Sequence, residues 1–279
     1  MLSVVVPAHD EEAVIERCLR ALLDVEPGEL DVVVVANGCR DRTVELASRW
    51  QGVRVIELGE ASKHAALNAG DAAARHFPRA YVDADVEVSG RALCAVAAAM
   101  ERADAPAGAP ALRLDLDACP WHVRAFYRVW LALDWSTDAP IGSGVYVLSQ
   151  AGHDRVGAIP PIINDDGYVH GSFRSAERLC VGSEAFVVRP PRTLRGLVLR
   201  RTRTLEGQAE LRARCGTLPG AAAGPGLVEL VRRRPRLAAD LPVFVAVTLL
   251  ARRALARKRR RGAAGWERDD TSRAVAEGA

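Results

Sequence analysis

Asp83-Ala84-Asp85 follows a short apolar run, Ala80 to Val82, and sets two carboxylates one residue apart where a strand should end. In extended backbone, residues i and i+2 leave on one face, so both acids point the same way. Two hard oxygen ligands side by side suit a divalent cation that keeps some waters and shares the rest of its shell with a substrate phosphate. Such a pair is also a common N-cap or solvated turn, so its surroundings must decide. Lys63 follows Ser62, a good N-cap, in the first turn of an expected helix. Backbone N–H groups and the helix dipole favour an anion there, and beside a metal pair that anion is a diphosphate. Asn37 lies in a Gly-containing turn and either hydrogen-bonds a base or ribose or only shapes the turn. Asp165-Asp166 ends another apolar stretch, Pro160 to Ile163, as a presented pair of acids or an acid-filled turn. Arg201 and Arg203 belong to an arginine run whose guanidinium forks match the oxygens of a leaving diphosphate.

The elements that must position these groups alternate. Ser3 to Val6 is a compact β-branched run that breaks at Pro7, as a buried strand followed by a loop does. Val14, Ile15, Cys18, Leu19 and Leu22 recur at helical spacing, and Pro27-Gly28 ends that helix. Asp31 to Val35 and Val53 to Leu58 give two more strands, with a helix over Thr43 to Trp50 between them. Ala80 to Val82 is the fourth strand. Strand-helix alternation at this spacing predicts an α/β fold: right-handed crossovers and a mostly parallel, Rossmann-related sheet flanked by helices. Ligands in such sheets lie over the carboxyl ends of the strands. Asp10, Glu11, Asn37, Asp41, Lys63, Asp83 and Asp85 all fall there. The chain has neither GxGxxG after its first strand nor GxxxxGK[ST].

In the second half, Val88 to Met100 reads as a helix and Ala103 to Pro110 as a small-residue linker. Leu112, Leu114 and Leu116 alternate with charges as a strand with an exposed face would. Trp121 to Trp135 is an aromatic-rich helix whose rings are core by default. Ile141 to Val147 is a strand interrupted by Gly142 and Gly144.

Four stretches carry a family resemblance: Val4 to Glu12, Val35 to Thr43, Lys63 to Gly70 and Asp83 to Asp85. Their order and spacing over the first 90 or so residues are similar to the motifs of family-2 glycosyltransferases. Those are inverting enzymes of the GT-A fold that use nucleotide-diphospho-sugars with Mg2+ or Mn2+. The resemblance implies that Pro7, Ala8, Asp10, Glu11 and Asn37 hold the nucleoside and that Lys63 lies near the phosphates. It implies that Asp83 contacts ribose or metal and that Asp85 binds the metal. The strand around Gly142 would floor the sugar site. Asp166, with Asp165 second, would be the base that takes a proton from the acceptor hydroxyl. Two features depart from the family pattern. Ala36-Asn37 replaces a common acidic pair, and no aromatic follows the arginines near Arg201.

Over the 279 residues, 38 basic and 35 acidic side chains nearly balance, but the arginines concentrate between Arg189 and Arg261. Six cysteines are scattered without a CxxC pair, and the histidines lack HExxH or HxxxH spacing. That pattern favours buried thiols in a reducing compartment over a disulfide frame or a zinc site. No basic, apolar leader opens the sequence, and Leu241 to Ala251 is too short to span a bilayer, so a cytoplasmic location is expected. The apolar run with its basic end either lies on an anionic membrane or docks on the core as a helix. The expected organisation is a transferase domain over 1–215, with a nucleotide half to about 100 and an acceptor half beyond it. A linker and basic helix follow over 216–261, then a disordered tail over 262–279. The expected partners are a donor nucleotide-sugar and an unidentified acceptor, with no nucleic acid. Two other functions share the rim of acids: a sugar-phosphate nucleotidyltransferase and a non-catalytic nucleotide-sugar-binding partner.

Overall fold

The structure is a computed structural model and describes residues 1–133, 143–220 and 226–260. It divides into two compact units. The first contains residues 1–113, 139–188 and 218–220. Its sheet begins with four parallel strands, β1 (Leu2–Ala8), β2 (Leu30–Asn37), β3 (Val53–Leu58) and β4 (Arg79–Val82). Val4, Val5 and Val6 of β1 and Val32 to Val35 of β2 are fully buried, which is why both strands read as continuous β-branched runs. β1 does not stop at Pro7. It pairs with β2 through Ala8, with Pro7 opposite Val35.

Beyond β4 the direction reverses. β7 (Val145–Leu148) runs antiparallel to β4, and β6 (Ala107–Leu114) runs antiparallel to β7. β8 (Arg178–Val188) and the two-residue β5 (Glu87–Val88) complete the order β3-β2-β1-β4-β7-β6-β8-β5. The stretch expected as a small-residue linker is therefore partly strand β6. Its small residues have a packing reason: a Cβ on Gly108 would stand 2.7 Å from the sulfur of Met100.

Helices α1 (Ile15–Leu22), α2 (Thr43–Ser48), α3 (Lys63–Ala73) and α4 (Gly90–Ala103) follow the parallel strands and β5. α3 packs closely on β1 and β2, and a Cβ on Gly70 would lie 2.4 Å from Val5 Cγ1 and 3.0 Å from Val35 Cγ2. The Ser62 hydroxyl accepts from Ala65 N–H and starts α3, as expected of an N-cap. Near the amino ends of the strands, Asp31 accepts from the Ser3 hydroxyl (2.9 Å), from Arg54 Nη2 (2.7 Å) and from the Arg75 backbone N–H (3.1 Å). α5 (Trp121–Ala132) belongs to the second unit, whereas α6 (Gln150–Val156) and α7 (Asp165–Gly171) belong to the first.

The second unit contains residues 114–138, 189–217 and 221–279. It is helical: α5, α8 (Leu194–Cys215), α9 (Leu227–Arg233) and α10 (Leu241–Arg260). The apolar run from Leu241 opens one 20-residue helix that also carries the following basic residues. Its stripe Phe244, Val247, Ala251 and Leu255 is buried. Phe244 stacks on Phe126 of α5 with ring centroids 5.1 Å apart. Arg128 and Asp240 pair through two 2.7 Å hydrogen bonds, and Lys258 meets Glu206 at 2.8 Å. The segment expected as a separate appendage over 216–261 thus shares one core with α5 and α8. Most ring-bearing residues of α5 are core as expected, although Trp121 is 70% exposed.

Candidate active site

The site forms in the first unit, where β4 ends. From Tyr81 onward the chain buries Val82, Ala84, Val86 and Val88, while Asp83, Asp85 and Glu87 stay partly exposed. The chain turns at Ala84-Asp85 instead of staying extended, so the strand alternation that would put both carboxylates on one face stops at Asp83, although the charges of Asp83 and Asp85 still act on each other. The Asp83 N–H donates to Gly144 O (2.8 Å) and the Val86 N–H to Asp83 O (3.0 Å), which fixes the turn. Lys63, the first residue of α3, reaches across with Nζ 2.8 Å from Asp83 Oδ1 and 2.9 Å from Asp165 Oδ2. Asp165 and Asp166 open α7 behind Asn164, whose side-chain oxygen accepts from Gly167 N–H. Asp166 Oδ2 accepts from two backbone groups, Ser143 N–H (2.9 Å) and Gly144 N–H (3.0 Å). Both donors have left-handed φ, 83° for Ser143 and 98° for Gly144. A serine in that region is strained, so the turn is held by its surroundings.

The electrostatics follow from burial. Desolvation raises the pKa of Asp83, Asp165 and Asp166 above the usual carboxylate range, and their mutual repulsion adds to it; Lys63 pulls each back only in part. For Lys63, burial works against the charge, but Asp165 and Asp83 outweigh it and hold the ammonium charged well above its ordinary range. One ammonium faces three carboxylates, Asp165 buried and Asp83 and Asp166 partly so, which leaves the cluster short of positive charge. A second, divalent cation fits this donor set. Asp83 and Asp85 offer only oxygen, as Mg2+ or Mn2+ prefers, and the remaining shell would come from water and phosphate.

The residues expected to hold the nucleoside lie at the ends of β1 and β2. Asp10 has φ 49°, and its Oδ1 accepts from Arg40 N–H at 2.7 Å. Glu11 is buried, and its N–H donates to Thr43 Oγ1 at 2.7 Å. Asn37 is nearly inaccessible; its Nδ2 donates to Ala8 O (2.8 Å) and its Oδ1 accepts from Ser62 N–H (3.0 Å). The amide thus braces β1 against the start of α3. Of its two sequence readings, the one in which it shapes the backbone describes what it touches.

Lys63, Asp83, Asp165 and Asp166 come together, Asp85 lies in the turn that follows Asp83, and Pro7, Ala8, Asp10, Glu11 and Asn37 lie at the neighbouring strand ends. Gly142 lies outside the described residues. Arg201 and Arg203 sit on α8 in the second unit. Arg201 packs its guanidinium 5.9 Å over the Phe244 ring, and burial, with Arg252 nearby, lowers its pKa. That contact is what its own unit provides. Sequence reasoning missed the two N–H groups that hold Asp166. Their signal was the Ser143-Gly144 pair directly before a buried strand.

A half-parallel, half-antiparallel sheet with acids at the tip of its fourth strand places the protein in the GT-A class of folds. The solved structures agree. A mannosyltransferase, PcManGT from Pyrobaculum calidifontis in complex with GDP-Man and Mn2+, aligns with TM-score 0.60 at 20% identity, over 94% of this chain and 76% of that one. Glucosyl-3-phosphoglycerate synthase from Mycobacterium tuberculosis, in complex with Mn2+, UDP and glucosyl-3-phosphoglycerate, aligns with TM-score 0.55 at 20% identity, over 81% and 83%. The model of Glycosyl transferase family 2 matches residues 3–138. An uncharacterized glycosyltransferase, EpsJ of Bacillus subtilis (strain 168), is 32% identical over 93 residues, a match that covers 32% of this chain and only 27% of that protein.

Proposed function

We propose that this protein transfers a sugar from a nucleotide-diphospho-sugar to an acceptor hydroxyl, with inversion and with a divalent metal. The observation that carries the reading is the network in which Lys63 bridges Asp83 and Asp165 while Asp166 is locked by the Ser143 and Gly144 N–H groups. Asp85, helped by Asp83, would hold Mg2+ or Mn2+, which supplies charge to offset the diphosphate. Lys63 is poised to neutralise the same phosphates. Pro7, Ala8, Asp10 and Glu11 frame the nucleoside, with Asn37 as the brace behind them.

Asp166 is the base. Its Oδ2 is held by the two N–H groups, and its raised pKa gives the carboxylate more affinity for a proton than an exposed acid has. The acceptor O–H proton passes to Asp166 as the oxygen bonds to the anomeric carbon. The bond from that carbon to the diphosphate oxygen breaks on the opposite face, and the nucleoside diphosphate departs with the electron pair. One displacement inverts the centre. Hexosyl donors are favoured because the similar solved proteins include ones bound to GDP-Man or UDP-Glc.

The second unit adds a membrane contact. Of the exposed large hydrophobic residues among those described, all but Met1 fall in this unit. On α10, Val245, Leu249 and Leu250 project opposite the buried stripe, and Arg252, Arg253, Arg257 and Arg260 continue the outer side. An apolar face with a basic end suits the surface of an anionic bilayer. No helix among the described residues is long and apolar enough to cross one.

The experiment is a panel of nucleotide-sugar donors scored by nucleotide release, with Mg2+, with Mn2+ and with chelator. Metal-dependent release with at least one donor supports the proposal. Silence across the panel under both metals removes it.

A further inference from the structure

We propose that His9, Asp10 and Cys39 form a second cation site, built from nitrogen, oxygen and sulfur and therefore suited to Zn2+ rather than to Mg2+. One ligand atom from each lies within 4.8 Å of the others. His9 Nε2 and Asp10 Oδ2 are 3.8 Å apart. Ligands about 2.0–2.3 Å from a tetrahedral Zn2+ stand roughly 3.3–3.8 Å from one another, so closing the triad takes small side-chain adjustments.

The hydrogen bonds around the triad orient each donor. His9 Nδ1 lies 2.6 Å from Asn37 O. A backbone carbonyl only accepts, so Nδ1 carries the proton, and in the neutral form of the ring the lone pair is on Nε2, on the Asp10 side. Zinc-ligating histidines are commonly fixed by this kind of outer contact. Asp10 spends Oδ1 on the Arg40 N–H, which turns Oδ2 toward His9. The Asp10 N–H points at Cys39 Sγ (3.4 Å), and the thiol lies 3.5 Å from Ala8 O. When a sulfur–metal bond forms, the thiol proton leaves to solvent and the contact to Ala8 is given up. Burial, with the charges of Asp41 and Asp10, holds the thiol above its ordinary pKa; the N–H···S contact remains and offsets this in part, and the metal must supply the rest. All three side chains are partly exposed, so an ion can enter.

The triad also explains its own absence from the sequence pattern. Its ligands come from two loops some 30 residues apart, at the ends of β1 and β2, so neither CxxC nor HxxxH spacing appears. On the sequence, helical apolar patterns around Cys18 and Cys94 and the histidine spacing both disfavour zinc. The strand register supplies the proximity that spacing lacked, with Ala8 opposite Ala36. The triad shares Asp10 with the proposed nucleoside frame, but its nitrogen, oxygen and sulfur ligands differ from the all-oxygen pair Asp83 and Asp85.

The test is a Co2+ titration of the full chain in excess Mg2+, which keeps the hard oxygen ligands occupied. The expected spectrum has the intense visible bands of four-coordinate Co2+ and a sulfur-to-cobalt charge-transfer band, saturating at one equivalent and bleached by Zn2+. Cys39→Ser should abolish the charge-transfer band. His9→Ala should weaken binding by on the order of tenfold or more. Asp85→Ala should leave the spectrum unchanged, and circular dichroism checks that each variant is folded. A wild-type spectrum without charge transfer overturns the proposal. So does a band that survives in folded Cys39→Ser, since another thiol would then hold the ion.

Discussion

Asp166 is fixed by two backbone N–H groups rather than by another side chain, so it can be changed with little rearrangement around it. Asp166→Asn should lower kcat by about 10²–10⁴-fold. Donor and Mn2+ binding, read by calorimetry, should persist. A non-catalytic binder would have no turnover to lose. Lys63 carries a different burden, because its ammonium sits between Asp83 and Asp165 and the latter is only 5% exposed. Lys63→Met would strand two acids without their counter-charge and should destabilise the fold by about 3 kcal/mol in urea unfolding. At this scale the sequence revealed residue types well. Lys63 behind Ser62, and the acids at 83, 85, 165 and 166, were legible because helix caps and strand ends leave local signals. The partners were not. Nothing local shows that a lysine in α3 meets an aspartate in α7, since that contact depends on how the sheet closes between them.

Between elements, close approach sets tolerance. Gly70→Ala on α3 would improve helix propensity by about 1 kcal/mol. The new methyl, however, would stand 2.4 Å from Val5 Cγ1, in a strand packed on both faces. Overpacking of about 1–3 kcal/mol should win, and Tm should fall by several degrees in a thermal melt. At the other end of the strands, burial would raise the Asp31 carboxyl, but the bonds from Arg54, Ser3 and Arg75 bring it below its ordinary value. A depressed carboxyl contributes stability that is complete above its unfolded pKa, about 4. That contribution is lost as pH falls through the lower folded value. Asp31→Asn should therefore melt earlier at neutral pH, and its deficit should shrink below about pH 4, read by Tm against pH. The parallel strands were legible because fully buried β-branched runs resemble little else. Part of β6 reads as a linker because Ala107-Gly108-Ala109-Pro110 is small throughout, whereas Gly108 is small because a Cβ there would meet Met100. β8 went unread because its exposure is mixed along its length, so neither a continuous apolar run nor a clean alternation marks it.

For the molecule as a whole, uneven charge is the basis of the proposed membrane contact. Arginine-rich α8 and α10 belong to the unit that also exposes Trp121, Leu194, Val228, Val245, Leu249 and Leu250. Binding to anionic vesicles in co-sedimentation should be salt-sensitive, and neutral vesicles should bind far less. Reversing Arg252, Arg253, Arg257 and Arg260 to Glu should weaken binding by at least two decades, at roughly 1 kcal/mol per basic residue. The composition signalled that asymmetry; it could not say that the last helix completes a core begun by α5 and α8, because three separated stretches must meet to make it. This order has a consequence for birth on the ribosome. A chain growing from its amino end has made every strand of the sheet once Val188 is added. Phe126 and Leu197 must then wait, their oily sides wet, until Phe244 to Leu255 emerge to cover them. That interval is when a nascent copy is most open to chaperone capture or to sticking to a neighbour.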